Sequence, residues 1–563
     1  MIQVTQEHFK RAAFEVSKHG DNDTLPFDLD VRLCGDVAEE LASIAFGFFN
    51  ELKSGPLKGN HERIASMSIW SERLVAPSGP AGFRVVTKIH PFWNIYLNGI
   101  SLAIAEQLEQ QRAPTAHSYR FLPGSDQFIF DANRSWRAFK EETIARSEDF
   151  GPDAVVVQTD ISSFYEHVSH HYVENCISDL DNGQRQIASQ VNALLSRLFA
   201  GRSFGLPVGG QGARVLAELF LHQVDMSLSA QGIHWHRYVD DYVIIASNTS
   251  EAYRALAVLA QSLMDYGLTL NKSKSVFLSQ KHYKDYVIAQ LGNNDDEAQQ
   301  LRTIDIKFDP YSDSPRDDYE SLKETVESLE VQKLLARELD KAIPDSFLVS
   351  QISRTLPLHK PDAAFELAVT LLSKQNLHAF RSSFSTIMRG FSHLRSKDEF
   401  SAIFPKLDSL LDEVPIHSGH LLEADTNLLH YLRCLRFSSS MRRSQFVRAT
   451  FDGTQLDTVK RACIDCWRGW KDRSTFNYLR NRWSQMTAES QRSFWLFSYC
   501  FGDEGEKARL QSKRAAASNW ELGVELNLDP VSDKAKLAKH TRGTEPRFPA
   551  VFMEWSKEAC DAG

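Results

Sequence analysis

Two carboxylates stand side by side in His236-Arg-Tyr-Val-Asp240-Asp241-Tyr-Val-Ile-Ile-Ala-Ser247, set between Tyr238 and a β-branched run, Val243 to Ile245. Apolar residues on both sides of two acids read as a β-hairpin with the acids at its tip. Burying that charge without a counter-ion is costly, so the tip must face water or a metal ion. Upstream, Ala154-Val-Val-Val-Gln-Thr-Asp160-Ile-Ser-Ser-Phe-Tyr165 has a related design: a buried-strand pattern ends in one aspartate, followed by small polar residues and an aromatic pair. Two strands side by side would bring Asp160 within reach of Asp240. Magnesium takes hard oxygen ligands in near-octahedral geometry, typically one or two carboxylates plus substrate phosphates. Two such ions can clamp both oxygens of an in-line displacement at phosphorus. Taken alone, Asp160 could equally cap the helix after it.

The elements that would position these acids lie between and around them. Phe204-Gly-Leu-Pro-Val-Gly-Gly-Gln-Gly-Ala-Arg214-Val-Leu-Ala-Glu218-Leu-Phe-Leu opens from a Gly/Pro loop into a helix with apolar residues at helical spacing. Such a loop and helix start suit a phosphate or a closely approaching nucleobase. Each of the three stretches is common by itself; their order and spacing together are not.

That order (DISSFY, GLPVGGQGAR, YVDD, then Gly267-Leu-Thr-Leu-Asn271-Lys-Ser-Lys274) resembles the palm motifs of reverse transcriptases. Arg84-Val-Val-Thr-Lys88-Ile-His-Pro91 and Ala116-His-Ser-Tyr-Arg120-Phe-Leu-Pro-Gly124 are similar to fingers motifs of the bacterial members. The resemblance spans residues 60–290 and is nearest to the abortive-infection, phage-defence group, in which such a palm precedes a long helical region. Two positions depart from the wider family: Val208 stands where many members have Gln, and Ala213-Arg214 replaces Ser-Pro. A Val-Thr-Gly retron signature and a Cys/His nuclease appendix are both missing, which also favours the defence group.

The resemblance implies catalytic roles for Asp160, Asp240 and Asp241, with Asp160, Ile161 and Asp240 holding two Mg2+ ions. It implies nucleotide binding by Arg84, Lys88, Arg120, Ile161, Tyr165, Gly209 and Lys274. Arg84, Lys88 and Arg120 would neutralise a triphosphate, arginine being suited to bidentate phosphate contact, although all three also read as ordinary surface charge. Tyr165 would block a 2′-hydroxyl and so select dNTPs; on composition it serves as well as a core aromatic. The implied product is single-stranded DNA made without a template and attached to a tyrosine of the protein, with Tyr319, Tyr431, Tyr478 and Tyr499 as candidates. A homo-oligomer and a phage-encoded trigger are also implied. Two rivals stay open: an RNA-templated reverse transcriptase with bound RNA, and a non-catalytic phage-sensing scaffold.

The expected fold class is α+β: reverse-transcriptase fingers and palm, then an all-α helical-repeat C-terminal domain of the HEAT-like solenoid kind. The expected division is N-terminal region and fingers over 1–125, palm over 126–292, acidic linker over 293–330 and helical domain over 331–563. Residues 33–49 read as one amphipathic helix, Pro77 to Gly82 as a turn, Phe83 to Ile89 as a strand, and Pro91 to Gln111 as a helix. A short strand is expected at Tyr283 to Leu291, and a helix at Tyr319 to Ala342. Residues 293–330 hold twelve acidic and four basic side chains; Leu432 to Trp483 reverses this with twelve basic and four acidic. In the second stretch Arg442, Arg443, Arg468, Arg473 and Trp470 are candidates for a nucleic-acid groove, arginine for phosphates and aromatic faces for bases. The rival reading is a helical domain whose arginines lie over its own aromatic core.

At 563 residues the chain has room for at least two domains. A hydrophobic content of 42% and charged content of 24% are those of an ordinary globular protein, and a net charge of −9 argues against a protein that simply coats nucleic acid. Seven scattered cysteines suit a reducing compartment. Cys463 and Cys466 lack a second ligand pair and read as helix core, and His167, His170 and His171 read as solvated or core histidines rather than a metal cluster. With no signal-peptide pattern and no apolar run of bilayer-spanning length, a cytoplasmic protein without membrane contact is expected.

Overall fold

The computed structural model describes residues 1–563 except 55–56, 66, 68, 80, 125–128, 292–300, 302–322, 324–325, 327–328, 523–547 and 562–563. Most of the acidic stretch, and with it Tyr319 and the start of the helix expected there, lies outside the described residues. The N-terminal half runs α1 (Gln6–His19), α2 (Leu29–Asp36), α3 (Ala38–Lys53), α4 (Leu57–Ala65), β1 (Ser71–Ser78), β2 (Gly82–Ile89), α5 (Pro91–Glu109) and α6 (Trp136–Asp149). It continues through β3 (Val155–Asp160), α7 (Phe164–His167), α8 (His170–Leu180), α9 (Gln186–Leu198), α10 (Gln211–Ala230), β4 (His234–Tyr238), β5 (Asp241–Ala246), α11 (Thr249–Met264), β6 (Val276–Ser279) and α12 (Gln280–Leu291). From Val331 onward the described elements are helices only.

Helix α5 is the pillar of this half. Pro91 sits in its first turn, where a missing N–H costs nothing, and His90 accepts the Phe92 N–H at 3.3 Å. Phe92 to Ala105 are buried on every face, as expected of a helix at the centre of a domain. Against it pack α1, α3, α9 and α10. The main sheet has strand order β4-β5-β3-β6, all antiparallel; β3 pairs with β5 so that Asp160 lies opposite Asp241. A separate antiparallel hairpin pairs β1 with β2.

Three expectations need correction. The segment from Tyr283 to Leu291 is not a strand but most of α12; Tyr283 and Val287, four residues apart, are both fully buried on one helical face, and the strand is the shorter β6 before it. The single helix over 33–49 is broken at Val37 (φ −125°, ψ 40°) into α2, capped by Asp28, and α3. Pro77 belongs to β1, paired with Phe83, so the turn is confined to the residues between Ser78 and Gly82.

In the C-terminal half, helices Ser346–Thr355, Phe384–Arg395, Asp425–Leu435, Asp457–Trp470, Ala488–Ser498 and Gly502–Asn519 lie each against the next. Their core is continuous with the β1–β2 hairpin: Leu74, Ala76 and Val86 of β1 and β2 are buried in the same cluster as Leu432, Ile464 and Phe497. The last helix, Phe548–Asp561, returns to the N-terminal helices, where Trp555 Nε1 donates to Asp36 at 2.8 Å. Hence the helical half is built onto the β1–β2 hairpin through a shared core.

Candidate active site

The acids sit where the sheet ends. β3 stops at Asp160, and the β4–β5 hairpin turns through Val239 and Asp240. Val239 has φ 56°, a conformation a β-branched residue adopts only under constraint. The constraint is visible: Val239 N–H donates to Ser118 Oγ at 2.8 Å, Arg237 donates to Val239 O at 2.9 Å, and Ile161 N–H donates to Asp240 O at 3.2 Å. Asp160 does not cap the next helix; Ser163 occupies the position before α7.

Beneath the tip is a buried ionic network that sequence reasoning missed. Arg237, fully buried, is gripped by Asp225 (2.6 Å and 3.0 Å) and by Glu218 (3.0 Å). Glu218 also accepts from Arg112 and from Ser118, each at 2.5 Å, and Tyr242 donates to Asp225 at 2.9 Å. Two guanidiniums hold Glu218 below the usual carboxylate range although burial opposes it. The available signal was two acids seven apart, on one face of the otherwise apolar α10.

Asp160, Asp240 and Asp241 are mostly buried and short of counter-charge. Asp240 is pushed up to about 7, first by burial, then by the charges of Asp160 and Asp241. Asp241 is raised by the same two causes, with Lys140 and Lys274 opposing. Lys274, 63% exposed, pairs with Asp160 at 3.0 Å, and Asn271 donates to the same oxygen at 3.2 Å. Lys140, unmarked in the sequence, is fully buried over the Trp136 and Phe139 rings and pulled down to about 8 by that burial, with Asp241 opposing.

Hard oxygens at elevated proton affinity, with one exposed lysine as movable counter-ion, fit a divalent cation of the magnesium type. The three aspartates do not draw three ligand atoms to within 4.8 Å of one another, whereas His117, Glu142 and His236 do. The His117–Glu142–His236 group is accounted for by a His–His hydrogen bond at 3.0 Å and a buried location that keeps both rings neutral, His117 at about 3 and His236 at about 4.

Around the acids, the glycine loop is fixed from two sides. Leu206 N–H donates to Tyr165 O at 2.8 Å, Thr87 N–H to Val208 O at 3.2 Å, and Asn22 Nδ2 to Val208 O at 3.0 Å. Gly209 has φ 108°, and a Cβ there would lie 2.1 Å from the Asn22 side chain, so only glycine fits. Arg214 pairs with Asp23 at 2.9 Å and covers the Tyr119 ring at 5.0 Å. Half-buried Tyr165 is an electrostatic neighbour of Tyr119, Arg214 and Asp240. Arg84, 39% exposed, lies 3.7 Å from Asp23, and its Nε is buried without a hydrogen-bond partner.

Several candidates are placed elsewhere. Lys88 is fully buried among Asp21, Asp28 and Asp30, which hold it well above the usual lysine range, so its charge is spent inside the fold. Arg120 is spent on Glu109 (2.5 Å) and on the carbonyls of Ala113 and Ala116. The arginines of the proposed groove all have acidic partners: Arg442 with Glu413 (3.0 Å), Arg443 with Asp412 (2.6 Å), Arg468 with Asp465 (2.7 Å) and Arg473 with Glu504 (2.7 Å). Trp470 donates to Leu435 O at 2.9 Å. Arg442, Arg443 and Arg473 pair with acids of neighbouring helices and Arg468 with an acid of its own helix, so these charges are shared within the C-terminal half. Cys463 and Cys466 are buried with raised thiol pKa values, as helix-core cysteines are.

Residues 96–300 match the model of the reverse transcriptase (RNA-dependent DNA polymerase) family, so this part of the chain is a reverse-transcriptase domain. No curated protein matches the chain. Among solved structures, a telomerase from Candida albicans in complex with a fragment of telomeric RNA aligns at 10% identity and a TM-score of 0.30, over 62% of this chain and 67% of that one. Among the described residues no helix is long and apolar enough to cross a membrane.

Proposed function

We propose that this protein is a reverse-transcriptase-like DNA polymerase of the abortive-infection, antiphage group, which joins dNTPs by two-metal catalysis without a template and on a protein primer. The observation that carries the polymerase reading is the register of β3 against β5, which sets Asp160 opposite Asp241 with Asp240 beside them and leaves Lys274 as the one ion-pairing partner of the three among the described residues. Asp160, Asp240 and the Ile161 main chain would hold two Mg2+ ions. When bound, these supply charge neutralisation at the attacking and leaving oxygens. Asp241 would sustain the site's negative potential, and the Val239 tip would hold Asp240 without reorganisation. Lys274 would exchange Asp160 for the phosphates of the incoming nucleotide, and Arg84 and Arg214 stand on the loop side of the same space. Tyr165 would pack against the sugar and exclude a 2′-hydroxyl.

Under this reading a tyrosine hydroxyl attacks the α-phosphorus, a phosphodiester forms, pyrophosphate leaves and single-stranded DNA grows attached to the chain. Tyr431 is poorly suited, being buried with its hydroxyl donating to Leu411 O at 2.9 Å. Tyr478 and Tyr499 are half-buried. The assay is incubation with labelled dNTPs and magnesium, without template or primer, followed by a denaturing gel. Label that migrates with protein and is lost on protease treatment supports protein priming. Extension only of an annealed RNA–DNA primer moves the reading to a templated enzyme, in line with the family model's description. Incorporation in neither format leaves a phage-sensing scaffold.

A further inference from the structure

A cavity of about 1090 Å³ opens between α1, α2 and the 25–29 segment on one side and helices Asp425–Leu435 and Asp457–Trp470 on the other. None of Asp160, Asp240 or Asp241 lines it. Nine Lys or Arg side chains and four Asp or Glu side chains do. Part of that excess is cancelled from behind the wall: Arg461 pairs with Asp30 at 2.7 Å, and Lys88 with Asp21. On the α1–α2 side Lys10 pairs with Glu39, Arg32 pairs with Asp36 at 3.2 Å and Arg11 donates to the Leu122 carbonyl, and three more arginines face them from the other helices. Arg433, Arg436 and Arg468 surround the single carboxylate of Asp465; Arg468 takes it at 2.7 Å and Arg436 stands 3.6 Å away. Arg433 donates only to the Phe27 carbonyl, and no carboxylate lies within ion-pairing distance of it among the described residues. Burial and the neighbouring charge of Arg436 pull Arg433 below the usual arginine range, with Asp465 and Asp28 opposing.

A second feature points to the ligand. Phe14 and Phe27 line the same cavity, and both are large apolar rings left 38% and 39% exposed. Three guanidiniums sharing one carboxylate beside exposed aromatic faces are the two parts of a single-strand binding site, one for phosphates and one for bases. The volume exceeds the ~300–1,000 Å³ of ordinary small-molecule pockets. We propose that this cavity is a second nucleotide-binding site, which holds a short stretch of single-stranded nucleic acid with its phosphates on Arg433 and Arg436 and its bases on Phe14 and Phe27. The proposal goes beyond the polymerase reading and does not depend on it, because binding is read without magnesium.

The test is fluorescence anisotropy of a labelled short oligodeoxynucleotide with the full chain in magnesium-free buffer, with dATP and inorganic phosphate as competitors. Arg433→Gln with Arg436→Gln should weaken binding about ten-fold or more and flatten the salt dependence by about 0.7 per arginine removed. Arg442→Gln with Arg473→Gln, two exposed arginines outside the cavity, should change neither. Because Arg433 and Arg436 are partly buried, wild-type protein is also photocrosslinked to a halogenated-uracil oligonucleotide and the peptides are mapped. Crosslinks at Phe14 or Phe27 are expected. Unchanged affinity and salt slope in the folded double variant, or crosslinks confined to the palm, overturn the proposal. Loss of dATP binding in the double variant, with oligonucleotide binding intact, overturns the strand and assigns the cavity to a free nucleotide.

Discussion

Asp240 should be a destabilising residue in the absence of metal, and replacing it with asparagine should strengthen the fold while ending the chemistry. Its pKa rises from 3.8 to about 7 on folding, through burial and through Asp160 and Asp241. A carboxylate raised in the folded state favours folding only while protonated. Its contribution is whole below the unfolded value and is lost as pH climbs from about 4 to about 7. At ~1.36 kcal/mol per unit the full shift corresponds to about 4 kcal/mol, and partial solvent access reduces this to about 1–3 kcal/mol. In EDTA at pH 8, Asp240→Asn should therefore raise the unfolding midpoint by a few degrees. The gain should shrink on titration towards pH 4. Magnesium should stabilise the wild type and leave the variant nearly unmoved, since binding to the folded state alone adds RT ln(1 + [L]/Kd). Scanning calorimetry at several pH values, with and without magnesium, reads all three effects. A variant less stable than wild type at pH 8 without metal would refute the reasoning.

Glu218→Gln should cost about 3–5 kcal/mol by leaving Arg237 and Arg112 short of a buried partner, seen in urea unfolding. Gly209→Ala must displace the Asn22 side chain and hold alanine at φ 108°, costing about 1–3 kcal/mol and lowering nucleotide incorporation more than binding of the protein's other ligands. Lys140→Met should stabilise the fold at pH 7 by about 1 kcal/mol, because burial outweighs Asp241 and the lost ring contacts; the gain should vanish as pH rises from about 8 through the unfolded lysine range of about 10.4.

How much of this was legible in the sequence depended on whether the signal was local. The hairpin around Asp240, the strand ending at Asp160, the helix from Pro91 and the glycine loop each carry their pattern within about a dozen residues. The run Tyr283 to Leu291 was too short and mixed for periodicity to separate strand from helix; burial of Tyr283 and Val287 against α6 settled it. Lys88 alternated correctly as a strand residue, but its partners Asp21, Asp28 and Asp30 lie some sixty residues earlier in a segment without periodicity. The arginines from Arg442 to Arg473 misled for the converse reason: charge spacing is visible in the sequence, whereas Glu413, Asp412 and Glu504, which neutralise them, arrive from other helices. Nor could composition reveal that Leu74 and Val86 of the β1–β2 hairpin share a core with the C-terminal helices.

Asp160 and Asp240 are the residues on which the proposed metal-dependent chemistry rests. Its most direct measurement is incorporation of labelled dNTPs in magnesium by wild type, Asp160→Asn and Asp240→Asn, each first shown to be folded. The wild type should incorporate label and each variant should lose about a thousand-fold or more, the several kcal/mol that metal-held charge stabilisation supplies. Undiminished incorporation by both folded variants would contradict that assignment.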